Sequence, residues 1–533
     1  MELTTLCSIL LVLYLLTSTI HTLYFHPLSH VPGPLFARIS TIPSFYHALK
    51  RDRHLWMEQL FQIYGPKIRT APNTVMFNTV SANDTIFAPR ANVMKSGFYE
   101  AWRRTTTDIN TLSERDPAQH ALRRRRLALA FTERATKSAG TYIAKHVDRW
   151  NELLLAGEKD KEGWSEGRDM TEWTKALGFD IMGDLSFGME FGTMEGKENQ
   201  FKSIPKLIES YVLFFYPITK SPVLSAILWL KPRGLNGIMA AITPRGIAKY
   251  YAFVEETVRR RTALERGDEK PICSSSSEKE TETERRKDIF HYLSTARDPE
   301  TGALAMSEDH LVADANLLVI AGSDTTSTVL GSIFFYLTRN PRVLEKLYQE
   351  LRHTFSSVEE IQYGAKLSSC KYLQAVIDES FRLGPAGCSE LPRDVRTGGI
   401  VIDGHFYPKG TTVGVPYWSY YRSTATYNDA LVFRPERWIV SATEPGRSEK
   451  ELRALKHAFT PFGKGVGSCV GRGIAALELG MCVGRTVWRM DMRKMEGDST
   501  GEMKGEGEEG LYQMWDAYLS VREGPIVQVR GRV

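Results

Sequence analysis

Near the carboxyl end of the chain, a glycine-dense loop delivers one cysteine just before an apolar stretch. The loop reads Phe462-Gly463-Lys464-Gly465-Val466-Gly467-Ser468-Cys469-Val470-Gly471. Glycine has no Cβ, so such a loop can turn tightly and approach a flat ligand closely. A helix beginning near Arg472 would direct its positive dipole end toward the sulfur and favour the thiolate. A thiolate bound to haem iron promotes O–O bond cleavage, so this loop suits haem-thiolate oxygen chemistry.

Cys469 by itself would be explained better as an ordinary buried thiol, because free cysteine is among the most buried residue types. The whole loop, however, resembles the F-x-x-G-x-R-x-C-x-G loop of the cytochrome P450 family, with Phe462, Cys469 and Gly471 in register. That resemblance implies that Cys469 is the axial ligand of haem b (iron protoporphyrin IX) and that Phe462 and Gly465 help to bind it. The chain departs from the family at Gly467, where a basic residue usually pairs with a haem propionate.

A long apolar run from about His310 to Leu337 predicts a helix that contains Ala321-Gly322-Ser323-Asp324-Thr325-Thr326. Aspartate and threonine are poor choices for the middle of a helix, because both compete for backbone hydrogen bonds. In the P450 family the corresponding helix crosses the distal face of the haem and opens locally at this step. The resemblance implies that Thr325 is the distal catalytic hydroxyl and that Asp324 is the entry point for protons. The alternative is that Thr325 and Thr326 only bond to carbonyl groups of the preceding turn.

Glu379 and Arg382 lie on one face of a predicted helix, where they can pair. Such a pair is usually a solvated surface contact worth ~0.3–0.5 kcal/mol, but the apolar neighbours of this one favour burial. The segment 433–438, Phe-Arg-Pro-Glu-Arg-Trp, resembles the P-E-R-F segment of the family. The resemblance implies that Arg437 completes a Glu–Arg–Arg lock, which holds the cysteine loop in place and does no chemistry itself.

Several basic residues are candidates for pairing with the haem propionates. His120 precedes a run of four arginines at 123–126. Successive helical side chains are separated by about 100°, so the four arginines cannot all face inward. The family resemblance implies that His120, Arg124 and Arg393 bind the propionates. The remaining arginines are expected to form a basic surface: Arg123, Arg125 and Arg126.

The amino-terminal residues predict a membrane anchor. The run from Leu3 to Ile20 contains no Asp, Glu, Lys or Arg, and a span needs roughly 17–25 apolar residues. A cleavable signal peptide is the alternative, but no basic segment precedes the run and no small-residue cleavage pattern follows it. Basic residues follow the run, so the positive-inside rule places the rest of the chain in the cytosol. We expect 1–22 to form the anchor, 23–36 a proline-rich hinge, and 37–533 one haem-thiolate monooxygenase domain.

Elsewhere, apolar residues recur at three- and four-residue spacing, which predicts a mainly α protein with small β-sheets. Short strands are predicted at 75–77, 399–402, 411–415 and 526–529, the middle two forming a hairpin. Two polar segments, 268–287 and 496–510, are expected to stay unordered because they cannot bury enough apolar surface. The resemblance implies the cytochrome P450 fold, preceded by one transmembrane helix.

The composition narrows the function classes further. The chain has 533 residues and a formal net charge of +5, with acids and bases interspersed, which gives no support to nucleic-acid binding. Its six cysteines lack the paired spacing of zinc sites and the density of a secreted disulfide scaffold. A reducing compartment therefore fits better.

Together with the resemblance, these features predict a membrane-anchored haem-thiolate monooxygenase that uses O2 to oxidise a lipophilic small molecule. The substrate pocket is expected at 99–103, 211–216, 319–323 and 387–390, by resemblance to the recognition loops of the family. The proline-containing entry segment resembles that of fungal microsomal members, which suggests secondary metabolite biosynthesis.

No flavin or dinucleotide domain is visible, so a separate NADPH-cytochrome P-450 reductase is the expected electron donor. It would dock on the cysteine side, where Lys464 and Arg472 present positive charge. The expected location is the endoplasmic reticulum membrane, with a single pass and a cytosolic catalytic domain. Two alternatives are a reductase-independent isomerase or dehydratase, and a haem-binding protein without turnover.

Overall fold

The computed structural model describes residues 3–105, 108–266, 288–298, 301–440, 448–505 and 510–532. The polar segment 268–287 lies outside these residues, so its expected lack of order stays a prediction. Helices dominate the described chain and short strands form small sheets, as the sequence predicted.

The helices are α1 (Leu3–Ile20), α2 (Leu35–Ile39), α3 (Ile42–Lys50), α4 (Arg53–Tyr64), α5 (Val80–Ile86), α6 (Gly97–Ala101), α7 (Pro117–Ala128), α8 (Glu133–Leu155), α9 (Met170–Phe187), α10 (Ile204–Thr219), α11 (Leu224–Leu230), α12 (Leu235–Ile242), α13 (Arg245–Arg266), α14 (Ile289–Thr295), α15 (Glu308–Arg339), α16 (Pro341–Thr354), α17 (Ala365–Ser369), α18 (Lys371–Leu383), α19 (Tyr417–Tyr421), α20 (Glu449–Ala458) and α21 (Arg472–Arg489). The strands are β1 (Lys67–Ala71), β2 (Thr74–Phe77), β3 (Val93–Lys95), β4 (Arg168–Asp169), β5 (Arg393–Val395), β6 (Ile400–Ile402), β7 (His405–Tyr407), β8 (Thr412–Gly414), β9 (Met490–Lys494), β10 (Trp515–Ala517), β11 (Leu519–Val521) and β12 (Ile526–Gly531).

The central helix is α15, which packs against α9, α13, α18 and α21. Two glycines allow α9 and α15 to approach each other closely. A Cβ on Gly178 would lie 2.8 Å from the carbonyl oxygen of Ser323, and one on Gly322 would lie 2.5 Å from the sulfur of Met182. Both distances are too short for real carbon atoms, so the absence of these side chains fixes the helix crossing.

A five-stranded sheet in the order β1-β2-β8-β5-β3 carries strands from both halves of the chain. The hairpin predicted between 399–402 and 411–415 is wrong. Strand β6 instead pairs with β7 through a two-residue turn at Asp403 and Gly404, whose φ angles are 48° and 76°. Positive φ at both positions is what a tight hairpin turn needs, so the chain reverses there. Strand β8 pairs with β2 and β5.

The first helix, α1, buries none of its residues against the rest of the described chain. The stretch Leu3–Phe25 has 23 residues, a mean hydropathy of 2.0 and no buried part, so it is long and apolar enough to cross a membrane. The central helix Glu308–Arg339 also meets the length and hydropathy criteria, but 67% of its apolar window is buried inside the protein. Burial in the core therefore accounts for the hydropathy of this second helix.

Two arginines tie the segment after the anchor to the body. Arg38 donates from Nη2 to the carbonyl groups of Leu23 and Ser29, at 2.9 and 3.0 Å. Arg69 donates from Nη1 to the carbonyl groups of Thr22 and Leu28, at 3.1 and 3.3 Å. These contacts hold residues 22–29, which follow α1, against α2 and β1.

The segment 496–510 was expected to stay unordered, and this is wrong for residues 496–505, which the structure describes. Glu502 accepts hydrogen bonds from Arg339 and Lys494, each at 2.8 Å. The side chain of Met503 is buried in a cluster with Tyr512. Contacts with distant parts of the chain order a segment whose own composition is too polar to do so.

Candidate haem-thiolate site

The cysteine loop is held by its backbone and by one aromatic contact. The amide of Cys469 donates to the carbonyl oxygen of Phe462 at 2.7 Å, which closes the loop directly before α21. Gly465 has a φ of 65°, and a Cβ there would collide with the carbonyl oxygen of Phe87. The ring of Phe462 packs edge to face on Phe381 of α18, with 5.3 Å between centroids. The loop therefore has a defined shape that depends on glycine at this position.

Cys469 is a free, exposed cysteine. Burial raises the pKa of its thiol above the ordinary value, while the amide groups of Gly471 and Arg472 and the charge of Arg124 act in the opposite direction. The expected donors at the start of α21 are thus present. They do not by themselves outweigh desolvation, so a cation bound to the sulfur is what would secure the thiolate.

The distal residues lie on α15, which is described throughout and is continuous. The local opening expected at the Gly-x-Asp-Thr step is therefore wrong for this structure. Thr325 donates from Oγ1 to the carbonyl oxygen of Ala321 at 2.6 Å, and Ser323 does the same to Val319. A side chain at position 322 would collide with Met182, which accounts for the glycine there. Even so, Ala321 is exposed in a helix that other helices surround, so this face borders an internal space.

Asp324 interacts electrostatically with two basic residues, Lys175 and Arg522. Burial lowers the pKa values of Lys175 and Arg522, and the negative charge of Asp324 acts in the opposite direction. Arg522 is buried and donates to the hydroxyls of Thr328 and Ser327 at 2.6 and 2.9 Å. Asp324 therefore belongs to a polar group between α9, α15 and the carboxyl-terminal strands.

The predicted Glu–Arg–Arg residues meet in the interior. Glu379 accepts from Arg382 at 3.0 and 2.9 Å and from Nε of Arg437 at 2.9 Å, and all three side chains are fully buried. The indole of Trp438 and the backbone amide of Arg434 donate to the same carboxylate. Burial alone would raise the pKa of Glu379, but the two guanidinium groups lower it below its ordinary value. Sequence reasoning did not anticipate the indole.

The three predicted propionate ligands also converge. Arg124 donates to the hydroxyl of Ser468 at 3.4 Å, next to Cys469 in the loop. His120 and Arg393 line one cavity of about 380 Å³ together with Gly467. Lys95 lines the same cavity, and sequence reasoning missed it. No local signal identified Lys95, because its position opposite Arg393 depends on strand pairing.

The basic surface expected from the other arginines of α7 is wrong for Arg123. Its guanidinium donates to the carbonyl oxygen of Ile109 at 2.9 Å and lies 3.6 Å from Glu114, so it ties α7 to the preceding loop. Arg125 is exposed, as expected. Lys464 pairs with Asp84, which reduces the positive charge that it can offer to a partner.

The expected pocket segments are only partly brought together. Residues 99–103 and 211–216 share an aromatic cluster, in which the rings of Trp102 and Phe215 lie 6.3 Å apart. Glu390, by contrast, is buried between Arg53 at 2.6 Å and Lys220 at 2.7 Å. It lines a larger cavity of about 830 Å³ to which neither Cys469 nor Thr325 contributes. This larger cavity is therefore set apart from the candidate chemistry.

The residues present fit a haem. A soft sulfur ligand is accessible at Cys469, small residues line the facing part of α15, and basic side chains gather beside the loop. These are the donor types that iron and two propionate groups require. A departure from the family at Gly467 does not remove the positive charge from this region.

Comparisons with known proteins identify the family of the chain. The family model for cytochrome P450 matches residues 32–510. The chain is 32% identical over 530 residues to the cytochrome P450 monooxygenase fscF of Fusarium equiseti, covering 98% of this chain and 95% of that protein. It is 31% identical to poxM of Penicillium oxalicum, covering 97% and 93%, and 30% identical to AKT7 of Alternaria alternata, covering 98% and 97%. Both are also named cytochrome P450 monooxygenases.

A solved structure supports the fold. The crystal structure of the cytochrome P450DA heme domain matches with a TM-score of 0.69 over 94% of this chain and 98% of that one, at 16% sequence identity. The matching motifs, the helical architecture and the extent of the family match lead to one conclusion: the chain belongs to the cytochrome P450 family and is a monooxygenase.

Proposed function

We propose that this protein is a membrane-anchored monooxygenase that oxidises a lipophilic small molecule in fungal secondary metabolite biosynthesis, with electrons from NADPH-cytochrome P-450 reductase. The observation that carries the proposal is the exposed thiol of Cys469, two residues from Gly467 in a loop that lines a cavity together with His120 and Arg393. The fungal sources of the full-length relatives support the biological setting.

Haem b, when bound, supplies the activation of O2 and the transfer of one oxygen atom to substrate. Cys469 would ligate its iron, and Phe462 and Gly465 would shape the loop that positions the sulfur. His120, Arg124 and Arg393 would hold the propionates. Glu379, Arg382 and Arg437 are structural, because every polar atom that they present to one another is buried in the lock.

Protons would enter along α15. The hydroxyl of Thr325 is partly exposed and donates to the carbonyl of Ala321, so it would rotate away from that carbonyl to donate at the site. Asp324 interacts electrostatically with Lys175 and Arg522. Thr325 would then present a proton at the site, and Asp324 would supply it from this polar group.

An apolar pocket suits a lipophilic substrate. Trp102, Tyr211 and Phe215 place aromatic rings beside one another, with 4.3 Å between the centroids of Tyr211 and Phe215. Such rings exclude water and bind apolar molecules over a large area.

The anchor and the expected topology support an endoplasmic reticulum location with a cytosolic catalytic domain. We propose residues 1–22 as the anchor, 23–36 as the linking segment and 37–533 as the monooxygenase domain. The exposed apolar stretch Leu3–Phe25 supports the first assignment. Arg38 and Arg69 hold the linking segment against the domain, so the anchor leaves the body in a defined direction.

The full-length protein should be expressed in yeast microsomes and reduced in the presence of carbon monoxide. Thiolate ligation predicts a Soret band at the position characteristic of a reduced carbonmonoxy haem-thiolate centre. Lipophilic compounds should then be screened for a low-to-high spin shift of the ferric protein, and each hit incubated with and without reductase and NADPH. Oxygenated product only in the complete system supports the proposal. Product without reductase would favour the isomerase or dehydratase, and a thiolate spectrum without any product would favour the haem-binding protein.

A further inference from the structure

Two basic residues face each other across a strand pair. Lys95 of β3 is the direct antiparallel partner of Arg393 of β5. Like charges directly opposite each other destabilise a sheet, so this pairing calls for a compensating anion. The side chain of Arg393 is buried, and that of Lys95 is half-buried.

Carbonyl and hydroxyl groups meet these two side chains, but no carboxylate does. Lys95 donates to the carbonyl oxygens of Thr111 and Leu112 at 2.9 and 2.8 Å, and Arg393 donates to the hydroxyl of Tyr99 at 2.9 Å. Across the described ranges no acid lies within ion-pair distance of Lys95, Arg393, His120 or Arg124.

The nearest acids already have partners. Glu114 lies 3.6 Å from Arg123, and Asp314 accepts from the amide and hydroxyl of Thr111 at 2.7 and 3.1 Å. The basic groups consequently disfavour one another's charge. Burial, reinforced by Arg393 and Arg124, lowers the pKa of Lys95 to about 7 despite a favourable contribution from these acids. Burial and the same neighbours lower the pKa of His120 to about 4.

Gly467 lies beside this cluster and has no side chain to contact it. A Cβ at position 467 would lie 3.0 Å from Nη2 of Arg393, so the missing side chain leaves room for the guanidinium. Lys95, Arg393 and Gly467 line the same cavity of about 380 Å³. The chain thus lacks a base at position 467, where the family carries one, and has a half-buried base, Lys95, on the wall of the same cavity.

We propose that Lys95 binds a haem propionate in place of the basic residue that is missing at position 467. This inference rests on the proposed haem site and deepens it. The carboxylate of a propionate would contact Lys95 directly, which Glu114 does not do although it lines the same cavity. The contact of the propionate with the ammonium group would be a charge-assisted hydrogen bond.

A competing explanation is that Lys95 only tethers the loop at 111–112 through its two carbonyl contacts. The two roles differ in what can replace the lysine. A tether needs a donor at position 95, whereas propionate binding needs a positive charge at the cavity, which position 467 can also provide.

The test is the rate of haem transfer from the ferric full-length protein to excess apomyoglobin. The variants are Lys95→Met, Lys95→Arg, Gly467→Arg and the double variant Lys95→Met with Gly467→Arg. Lys464→Met is the matched control, because Lys464 lines the same cavity but is paired with Asp84. Circular dichroism of each variant verifies folding before transfer is measured.

We expect Lys95→Met to accelerate haem loss by on the order of tenfold, which is the scale for losing one hydrogen bond to a charged group. Lys95→Arg should stay within about threefold of the parent, and Gly467→Arg should restore the double variant to that range. Lys464→Met should leave the rate unchanged.

Equal effects of Lys95→Met and Lys464→Met would overturn the proposal, as would a double variant that loses haem as fast as Lys95→Met alone. A variant that does not fold is replaced by Lys95→Gln, judged by the same rates. Failure of the haem site itself is distinguishable, since the unsubstituted protein would then show no thiolate spectrum at all.

Discussion

Glu379 and Arg437 are 58 positions apart in the chain and are joined by a fully buried hydrogen bond of 2.9 Å. Arg437 also donates to the carbonyl oxygens of Asn428 and Asp429 at 2.7 and 3.0 Å. One carboxylate on α18 therefore organises the segment that leads through α20 to the cysteine loop. The other contact between α18 and the loop is the packing of Phe381 on Phe462.

Replacing Glu379 with Gln should prevent stable assembly of this region. It leaves two guanidinium groups buried without their counter-charge, which costs about 3–5 kcal/mol in comparable cases. Urea unfolding and the yield of haem-loaded protein would measure the effect. Arg434→Gln is the control, because its guanidinium is exposed and pairs with Asp429 at the surface. Equal stability of the two variants would contradict a structural lock.

Replacing Cys469 with Ala should abolish the thiolate spectrum of the reduced carbonmonoxy protein, because no other sulfur lies in the loop before α21. The measurement is the absorption spectrum after reduction under carbon monoxide. Cys7→Ala is the control, since Cys7 is an exposed cysteine in the anchor helix. Retention of the spectrum by Cys469→Ala would reject the assigned ligand.

Replacing Thr325 with Ala should leave haem binding intact and divert reducing equivalents to hydrogen peroxide. Its hydroxyl borders the internal space, and its loss removes the group proposed to deliver protons there. Peroxide formed per NADPH consumed should rise several-fold, a scale below the ~10²–10⁴ typical of a positioned acid–base group. Thr326→Ala is the comparison, because Thr326 is buried on another side of α15. The same peroxide yield from both variants would argue against a special role for Thr325.

Replacing Glu478 with Gln should flatten the pH dependence of stability. Glu478 is buried in α21, and its Oε1 finds no hydrogen-bond partner among the described residues. Burial raises its pKa to about 8 from the ordinary value of 4.5. The folded protein therefore keeps a proton that the unfolded chain releases, and stability falls as pH rises from about 4.5 to about 8.

At pH 7 the raised pKa of Glu478 lowers the free energy of unfolding by on the order of 3 kcal/mol, from the free energy of a pKa shift. The measurement is urea unfolding of the parent and the variant between pH 5 and pH 8, taking ~1 kcal/mol as the smallest difference that counts. Glu256→Gln, an exposed position on α13, controls for the loss of one surface charge. Parallel pH curves for the parent and Glu478→Gln would show that Glu478 does not titrate in this window.

Local patterns predicted much of the fold. The apolar run of α15 and the glycine spacing of the cysteine loop involve residues close in sequence, and they identified the central helix and the loop directly. The Asp403–Gly404 turn shows where such reading failed. The strand 399–402 was predicted to pair with 411–415, but the chain reverses at this dipeptide and the strand pairs with 405–407.

The sequence by itself determined the family, the mainly helical architecture and the candidate ligand Cys469, because these depend on residue types at short, fixed spacings. Only the tertiary structure decided the direction of each basic side chain. It turned Arg123 inward to Glu114, and it placed Lys95 beside Arg393 through the pairing of β3 with β5. The physical reason is that burial and electrostatic compensation depend on groups far apart in the chain, which become neighbours only when the sheet and helices have packed.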